Sequence, residues 1–286
     1  VPSFVDRDVR IEKFAISKDG LYQAYILTDG DVVMTFPSDK DINPFRYMKV
    51  GHHITNPGDY KYDICITNNG ILSVASCYCI LVFDVKTAGV YENDDEFIQM
   101  TLEPFITRTF ESGFIIERSL MVLDDGVNIV YTHCYSDDFI AMTMLNIMNE
   151  SEKPLISSDS SALFTMTSDG TRILRITDDH IDVIRFNPSR VFNKSDGTYN
   201  LPEDLVKRIA FSIQRNRIRV SEDCNYIVGG SEEVNTVVPV VVDISFEANK
   251  TNVIRMSDEL DRIRGVIFSY AMTSEGQVIL LDFEGF

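Results

Sequence analysis

The sequence predicts an all-β fold, a β-propeller with blades of four-stranded antiparallel sheet, from three observations. First, a short pattern occurs six times: two apolar residues one apart, a residue that is usually Ser or Thr, and an acidic or amide residue followed by Gly, or by Cys224 in one copy. Second, the last residues of successive copies lie 44 to 56 residues apart. Third, an apolar residue stands four positions after each copy. Repeats of this length built from hairpins are typical of propeller blades, whereas a β-sandwich requires no such period.

Each copy predicts the end of one strand, a tight turn and the start of the next strand. In the first copy, Phe14 and Ile16 alternate with polar positions, as in a half-buried strand. Gly20 can adopt the positive φ that a hairpin turn requires, and residues 21–27 are expected to return as a second strand. The six copies are FAISKDG (14–20), ICITNNG (64–70), LMVLDDG (120–126), FTMTSDG (164–170), IRVSEDC (218–224) and YAMTSEG (270–276).

The 286 residues are predicted to form a single propeller domain. We expect six blades, with seven as the alternative if strands are missing from this chain, because the last copy is followed by one strand only. Residues 1–8 are expected to close the last blade, since an open ring would expose strand edges. Fourth strands are predicted at 45–50, 97–102 and 252–256. The predicted repeats are 9–50, 58–102, 114–158, 160–205, 208–257 and 262–286.

The second repeat carries two distinctive residue pairs. Gly51-His52 precedes a hairpin, and the third strand at 80–84 (ILVFD) ends in Phe83-Asp84. With these residues the repeat resembles the WD40-repeat family, in which a Gly-His pair precedes a third strand that ends in Trp-Asp. Residues 240–243 (VVVD) repeat that ending, although the chain contains no Trp. The resemblance implies WD40-like blades, with the His52 imidazole in a structural hydrogen bond between strands, and it points to no particular subfamily.

The net charge and the hydropathy of the chain limit the classes of partner that we expect. The formal net charge is −18 at pH 7, which argues against general nucleic-acid binding, because neutralising phosphates needs a basic surface. The same charge favours solubility and attraction of a basic partner. The longest candidate membrane segment, 71–83, has 13 uncharged residues, fewer than the roughly 20 that a spanning helix needs. We therefore predict protein partners, without nucleic acid or membrane.

Cysteine usage favours an intracellular protein. The chain has five cysteines, an odd number without the spacing of a disulfide framework. Cys77 and Cys79 lie two apart on a predicted strand, about 6.8 Å between Cα atoms, which is awkward for a mutual disulfide. Reduced thiols in the cytoplasm or nucleus are therefore expected. Secretion is the alternative, because the sequence contains the glycosylation sequons of Asn149, Asn193 and Asn249.

The sequence contains no motif typical of a catalytic, metal-binding or cofactor-binding site. Four Asp-Asp pairs begin at residues 94, 124, 137 and 178, and three of them lie at predicted turns, where Asp commonly caps the backbone. His52 and His53 have no partner at metal-ligand spacing, and the HExxH, GxSxG and GxxxxGK[ST] motifs are missing. We therefore assign no catalytic, cofactor-binding or metal residue, and the hypothesis leans toward a protein that is not an enzyme.

Two groups are candidate partner-binding residues. Basic residues cluster at the fifth copy, where Arg215, Arg217 and Arg219 share one strand face by period-two geometry and Arg208 lies close in sequence. Such a patch fits an acidic or phosphorylated peptide; a solvated face paired with neighbouring carboxylates is the alternative. The second group is aromatic and lies in a long inter-repeat segment, where it serves either as an anchor or as core. Its members are Phe105 and Phe110.

The sequence therefore favours a non-catalytic propeller scaffold for protein–protein interaction, as a module of a larger complex. The hypothesis depends on the repeat, on the missing catalytic motifs and on the WD40-like second repeat. The alternative is a propeller hydrolase or glycan-binding protein with carboxylates in its central channel, because propellers also host enzymes and lectins.

Overall fold

The regular elements that the structure describes are all strands. The computed structural model describes residues 11–17, 19–37, 45–52, 63–76, 78–86, 97–99, 102–116, 119–136, 139–158, 162–186, 205–210, 218–220, 225–233, 236–245, 253–255, 267–272 and 278–282. In chain order the strands are β1 (Ile11–Ile16), β2 (Gln23–Leu27), β3 (Asp31–Pro37), β4 (Phe45–His52), β5 (Asp63–Ile66), β6 (Ile71–Ala75), β7 (Cys79–Asp84), β8 (Phe97–Gln99), β9 (Ile106–Thr109), β10 (Phe114–Ile115), β11 (Met121–Val122), β12 (Asn128–Ser136), β13 (Phe139–Asn146), β14 (Glu152–Ser158), β15 (Leu163–Met166), β16 (Arg172–Ile176), β17 (Ile181–Arg185), β18 (Leu205–Ile209), β19 (Arg219–Val220), β20 (Tyr226–Glu233), β21 (Thr236–Asp243), β22 (Val253–Arg255), β23 (Ile267–Met272) and β24 (Val278–Asp282).

These strands form six sheets in the described part of the chain, and each sheet contains one copy of the repeated hairpin. Sheet 1 has the order β1-β2-β3-β4-β8, and sheet 2 has the order β5-β6-β7-β9. Sheet 3 has the order β10-β12-β13-β14, with β11 also paired to β12. Sheet 4 is β15-β16-β17-β18, sheet 5 is β19-β20-β21-β22, and sheet 6 is β23-β24. The number of blades in the ring stays a prediction, as do the bounds of the single domain.

The repeated pattern encodes one turn, which recurs in four described copies. Gly20, Gly70, Gly126 and Gly170 all have positive φ, between 65° and 77°. Each donates its backbone N–H to the carbonyl three residues earlier, at 2.8 to 3.1 Å. Glycine populates this region without the steric cost that a Cβ imposes, which explains its place at the end of the pattern.

The Ser or Thr of the pattern closes the same turn with its hydroxyl. Thr67 Oγ1 accepts a hydrogen bond from Ile71 N at 3.0 Å, and Thr167 Oγ1 accepts one from Arg172 N at 3.1 Å. The third copy has Leu123 at this position, and there Asp125 Oδ1 accepts from Val127 N at 2.8 Å and from Asn128 N at 2.9 Å. The bond to Val127 N is one that Asp19 and Asp169 also make to the residue after Gly. In the bond to Asn128 N, Asp125 replaces the missing hydroxyl as the acceptor.

The chain divides into two compact units. Unit 1 comprises Val1–Asp137 and Ala141–Leu155, and unit 2 comprises Asp138–Ile140 and Ile156–Phe286. In unit 1 one apolar core lies between sheets 1 and 2, where Ile26 and Met34 pack with Leu72 and Phe83. A second core joins sheets 2 and 3 and includes Tyr131.

Unit 2 has a core between sheets 4 and 5. Leu174 and Val183 of sheet 4 pack there with Ile227 and Val240 of sheet 5. Sheets 1 to 3 in unit 1 and sheets 4 and 5 in unit 2 thus each bury a face against a neighbour along the chain. The apolar residue predicted four positions after each turn is fully or almost fully buried in the first four copies, at Ala24, Val74, Val130 and Leu174.

The first strand of the first sheet departs from the prediction. In sheets 2 and 4 the paired apolar residues of the pattern are buried, as expected, but Phe14 is 54% exposed and Ile16 is 53% exposed. Ala15, between them, packs on the core shared with sheet 2. Because strand side chains alternate, that contact turns Phe14 and Ile16 to the opposite face of sheet 1.

The predicted fourth strand of the second repeat, 97–102, is wrong. β8 pairs in parallel with β4, with Tyr47 opposite Phe97, and so extends sheet 1. The fourth strand of sheet 2 is β9, which pairs with β7. Ile106 of β9 fills the core between sheets 2 and 3, which explains why this later segment occupies the position. The other two predicted fourth strands are confirmed as β4 and β22.

Candidate functional site

The predicted arginine patch lies partly outside the described residues. Arg215 and Arg217 are among the residues that the structure does not describe. Arg219 begins β19, with its backbone paired to Val228, and its side chain is not described. Arg208 is fully described and lies in β18 of sheet 4, so the patch itself stays a prediction.

Arg208 is held by a buried carboxylate on its own sheet. Asp182 stands opposite Arg175 on one side and opposite Arg208 on the other, so the three form a row across β16, β17 and β18. The Asp182 carboxylate is fully buried, and its two oxygens accept from Arg208 Nε at 2.6 Å and Nη2 at 3.0 Å. These hydrogen bonds from Arg208 to Asp182 raise the pKa of the guanidinium.

Two further basic side chains contact the same carboxylate. Arg175 Nη1 lies 3.4 Å from Asp182 Oδ2, and His180 Nε2 lies 3.3 Å from it. The other ring nitrogen of His180 lies 2.7 Å from Asp179 Oδ1. Hydrogen bonds from Thr177 and His180 lower the pKa of Asp179. The Arg208 guanidinium is 44% exposed, so sheet 4 presents a positioned cation at its outer strand.

The two predicted aromatic residues lie at opposite ends of β9. Phe105 N donates to Val82 O before the strand begins, and Phe110 N donates to Tyr78 O after it ends. Five residue steps along a strand separate their Cα atoms by about 17 Å. Phe110 packs with its ring centroid 4.5 Å from that of His133, as part of the core between sheets 2 and 3. Phe105 is 46% exposed, so it alone presents an aromatic surface.

Polar turns of three consecutive sheets lie side by side in unit 1. Asp19 N, in the turn of sheet 1, donates to Asn68 Oδ1 in the turn of sheet 2 at 3.1 Å. The Nδ2 of Asn69 lies 3.3 Å from the position that a Cβ on Gly126, in the turn of sheet 3, would occupy. We call these three turns the turn row; its described residues are 17, 19–20, 67–70 and 123–126. The repeated pattern therefore builds a continuous rim from separate parts of the chain.

A cavity opens between the second and third turns of the turn row. Its volume is about 260 Å³. This is slightly below the roughly 300–1,000 Å³ of pockets that enclose drug-sized ligands. The lining residues are Ile66, Thr67, Asn68, Asn69, Val122, Leu123, Asp124 and Gly126. We call this space the turn cavity.

The lining of the turn cavity divides into an apolar part and a polar part. Ile66, Val122 and Leu123 are the apolar residues, and Asp124 is the one charged residue of the lining that the structure describes. Its neighbour Asp125 caps the turn instead: burial raises the pKa of Asp125, but hydrogen bonds from Val127 and Asn128 outweigh it and lower the pKa overall. The two carboxylates thus have different tasks.

Sequence reasoning missed the turn cavity. It interpreted the Asp-Asp pair at 124 as turn chemistry, which holds for Asp125. Alignment of the copies could have predicted it, because Asn68-Asn69 and Asp124-Asp125 occupy equal positions in adjacent repeats. Neighbouring blades bring equal positions together, so two adjacent polar pairs predict a shared polar rim.

Phe105 lies at the same end of sheet 2 as the turn row. Its hydrogen-bond partner Val82 is two residues before Asp84, and Asp84 stands opposite Ile71, the first residue after the turn. Tyr78, which is 58% exposed, lies at the opposite end, beside Phe110. The exposed Phe105 and the turn row therefore belong to one end of unit 1.

The described residues assemble no metal cluster. No group of three or more His, Cys, Asp or Glu side chains among them is placed to hold a metal ion. Burial raises the pKa of the Cys65 thiol, which disfavours the nucleophilic thiolate there. Within the same described ranges, no helix is long and apolar enough to cross a membrane.

The comparisons with known proteins concern the fold. No family model matches the chain, and no curated protein matches its sequence. Solved structures do match. A chain in the crystal structure of the Mitotic Checkpoint Complex is 13% identical, with a TM-score of 0.55, and the match covers 98% of this chain and 76% of that one. The Cps50 (Swd1) β-propeller domain of Myceliophteria thermophila is 10% identical, with a TM-score of 0.57, over 96% of this chain and 80% of that one.

A candidate 6-phosphogluconolactonase from Bacteroides uniformis is similar to the same degree. It is 12% identical, with a TM-score of 0.55, over 96% of this chain and 78% of that one. At such identities the likeness shows the fold and leaves the activity open. The chain has a β-propeller fold of antiparallel sheets, with the WD40-like resemblance that the second repeat indicated.

Proposed function

We propose that this protein is a non-catalytic propeller scaffold that binds other proteins through the end of unit 1 that carries the turn row, as a module of a larger complex. The observation that carries the proposal is the turn row itself, in which three sheets present adjacent polar turns beside the exposed Phe105. Interfaces of this type combine an aromatic anchor with a polar rim. The Mitotic Checkpoint Complex is an assembly, and its similar chain supports the same use of the fold.

The partner class follows from charge. The net charge of −18 supports a protein partner and opposes nucleic acid and anionic membrane surfaces. An acidic or phosphorylated peptide is the proposed partner of the arginine patch only, where the partly exposed Arg208 guanidinium offers a cation. We further propose an intracellular location, supported by the odd number of cysteines.

A secreted form would carry a glycan, and the structure shows one accessible acceptor. Asn149 is exposed, and its Oδ1 accepts from Ser151 N at 3.0 Å and from Ser151 Oγ at 2.7 Å. Mass spectrometry of the natural protein decides between the two locations. An unmodified Asn149 agrees with an intracellular protein, and an occupied one contradicts it.

A propeller hydrolase is the second candidate function. The observation that favours it is the likeness to the candidate 6-phosphogluconolactonase, which matches as much of the chain as the Swd1 domain does. The purified protein should be incubated with 6-phosphogluconolactone and with a panel of glycosides. Hydrolysis above the rate without protein would overturn the non-catalytic proposal.

The scaffold proposal is tested by complex formation with purified components. Partners captured under native conditions should be identified by mass spectrometry, purified, and mixed with the wild-type protein for size-exclusion chromatography and calorimetry. We expect a stable complex whose Kd rises at least tenfold in Phe105→Ala, because truncating a buried aromatic anchor commonly costs more than 1.4 kcal/mol, about tenfold in Kd.

The matched control is Tyr78→Ala, which removes an exposed aromatic ring at the other end of sheet 2. It should leave the Kd unchanged. Equal weakening by both substitutions, or no complex with any captured protein, would contradict the proposed surface.

A further inference from the structure

We infer that the turn cavity binds the side chain of an arginine or lysine, presented by a basic segment of the protein partner. The inference rests on the proposed scaffold function and adds the chemistry of the partner. It concerns a site different from the arginine patch, which would attract the opposite charge.

The size of the turn cavity suits a single side chain. A volume of about 260 Å³ is slightly below the range of pockets that enclose drug-sized molecules. The cavity also lies between two turns at a rim, where an extended segment can pass across and insert one residue. The shape therefore favours a peptide side chain over a free metabolite.

The distribution of polarity in the lining suits a long cationic side chain. Ile66, Val122 and Leu123 offer apolar contact for a methylene stem. Lysine and arginine place their stems along apolar surface while the charged head remains near polar groups or water. Asn68 and Asn69 add amide groups to the polar part of the lining. Asn68 Oδ1 accepts from Asp19 N and keeps a second lone pair for such a head.

The charge of the lining selects a cation. Asp124 is exposed and is the charged residue of the described lining, so it places a negative charge at the cavity. A phosphate or carboxylate group would be repelled by Asp124. The overall charge of −18 adds a long-range attraction for basic segments.

The architecture keeps the cavity open. Gly126 faces Asn69, and a Cβ at this position would lie 3.3 Å from Asn69 Nδ2. Its φ of 65° also disfavours any residue with a side chain. The turn hydrogen bonds of Thr67 and Asp125 fix both walls, so the cavity does not have to be ordered at a cost when the ligand binds.

The test is an NMR titration of the full 286-residue chain with blocked pentapeptides. The probes are Ac-Ala-Ala-Arg-Ala-Ala-NH2, its lysine analogue, and the same peptide with citrulline, which keeps the shape of arginine and removes its charge. We expect the arginine or lysine peptide to shift the backbone amide signals of Asn68, Asn69 and Gly126. The citrulline peptide should bind at least about tenfold more weakly, because it lacks the positive charge that the Asp124 carboxylate attracts.

The variant Asp124→Asn should weaken binding of the cationic peptide by a similar factor. The matched control is Asp178→Asn, which makes the same change at the first residue of an Asp-Asp pair in the turn between β16 and β17. It should bind like the wild type. Equal binding of arginine and citrulline peptides, shifts confined to other parts of the protein, or no shifts at all would overturn the inference.

These outcomes are separable from failure of the scaffold proposal. If a purified partner forms a complex that Phe105→Ala weakens but the peptides do not bind, the scaffold function stands and the cation site is rejected. If the peptides bind as expected but no protein partner forms a complex, the scaffold function is rejected.

Discussion

Asp182 is a fully buried carboxylate in contact with three basic side chains. It accepts two hydrogen bonds from Arg208 and lies within 3.4 Å of Arg175 and His180. Taking a carboxylate out of water is costly, and the guanidinium groups of Arg175 and Arg208 offset that cost only while both contacts are intact. The row across sheet 4 is therefore more sensitive to loss of one member than a surface ion pair would be.

Replacing Asp182 by Asn should lower the free energy of unfolding by about 3 kcal/mol, because it leaves Arg175 without its carboxylate in a largely buried place. Urea denaturation followed by circular dichroism measures the change. The control Asp178→Asn, at an exposed turn, should stay within about 0.5 kcal/mol of the wild type. If Asp182→Asn lowers the free energy of unfolding by less than about 1 kcal/mol, the contacts of Asp182 contribute little to stability.

His133 is a buried histidine in the aromatic core between sheets 2 and 3. Its ring lies 4.5 Å from that of Phe110 and 4.2 Å from that of Tyr135, measured between centroids. Burial lowers the pKa of His133, against the opposing influence of the Ser112 backbone and of Glu152. The folded state therefore binds a proton less readily than the unfolded state, and folding is favoured while the ring is neutral.

The sign of this shift predicts a pH dependence. Stability from His133 should be fully present above its unfolded pKa of about 6.5, and should be lost as the pH falls from there through the lowered folded pKa. We expect His133→Phe to remove this dependence. The free energy of unfolding of the variant should therefore rise relative to that of the wild type as the pH falls from 7.5 to 5.5. Urea midpoints across that range measure it. Parallel curves for the two proteins would mean that His133 does not carry the effect.

At the scale of the element, the repeated turn forms with different hydrogen-bond acceptors in different copies. In the second copy the hydroxyl of Thr67 accepts from Ile71 N, and in the third copy Asp125 accepts from two backbone N–H groups. The chemistry that matters is an acceptor aimed at the N–H groups after the turn. The hairpin therefore forms in both copies although their residues differ.

Asp125→Ala should destabilise the protein by about 1 kcal/mol, because two backbone N–H groups at an exposed turn exchange their carboxylate acceptor for water. Since the pKa of Asp125 is lowered in the folded state, its contribution is present above the unfolded pKa of about 3.9 and is lost as the pH falls below that value. The difference between variant and wild type should therefore shrink at pH 3. Asp124→Ala is the control and should change stability by less than about 0.5 kcal/mol.

The strands also show where local patterns stop being sufficient. The turns that end in Gly were predictable, because the backbone hydrogen bonds that close them join residues within six positions of one another. The fourth strand of sheet 2 was not, since 97–99 and 106–109 are both plausible strands in isolation. Packing of Ile106 against sheet 3 decides between them, and the position of that sheet is a property of the tertiary structure.

At the scale of the whole molecule, the fold explains why the candidate surface is assembled from distant parts of the chain. Each sheet contributes one turn, and consecutive sheets pack face to face in unit 1. Turn residues 49 positions apart in sequence therefore become neighbours, as Asp19 and Asn68 do. A repeat architecture thus turns one local motif into an extended rim.

The net charge of −18 acts at this scale as well. It attracts basic segments from a distance, whereas selection of one side chain depends on the turn cavity. Sheet 4 contains arginines although the chain as a whole is acidic, and Arg208 forms an ion pair with Asp182. The long-range attraction of basic segments thus depends on the net negative charge, whereas the stability of sheet 4 depends on the pair of Arg208 and Asp182.

The sequence by itself determined the all-β fold, the repeat and the turn at each copy, because these depend on contacts between residues close in the chain. Tertiary structure decided which face of β1 is covered, that Phe105 and Phe110 lie at opposite ends of β9, and that Arg208 binds Asp182. It also created the turn cavity, whose two walls lie more than 50 residues apart in sequence. The physical reason is that burial and charge pairing depend on which sheet packs next to which, and a local pattern does not contain that information.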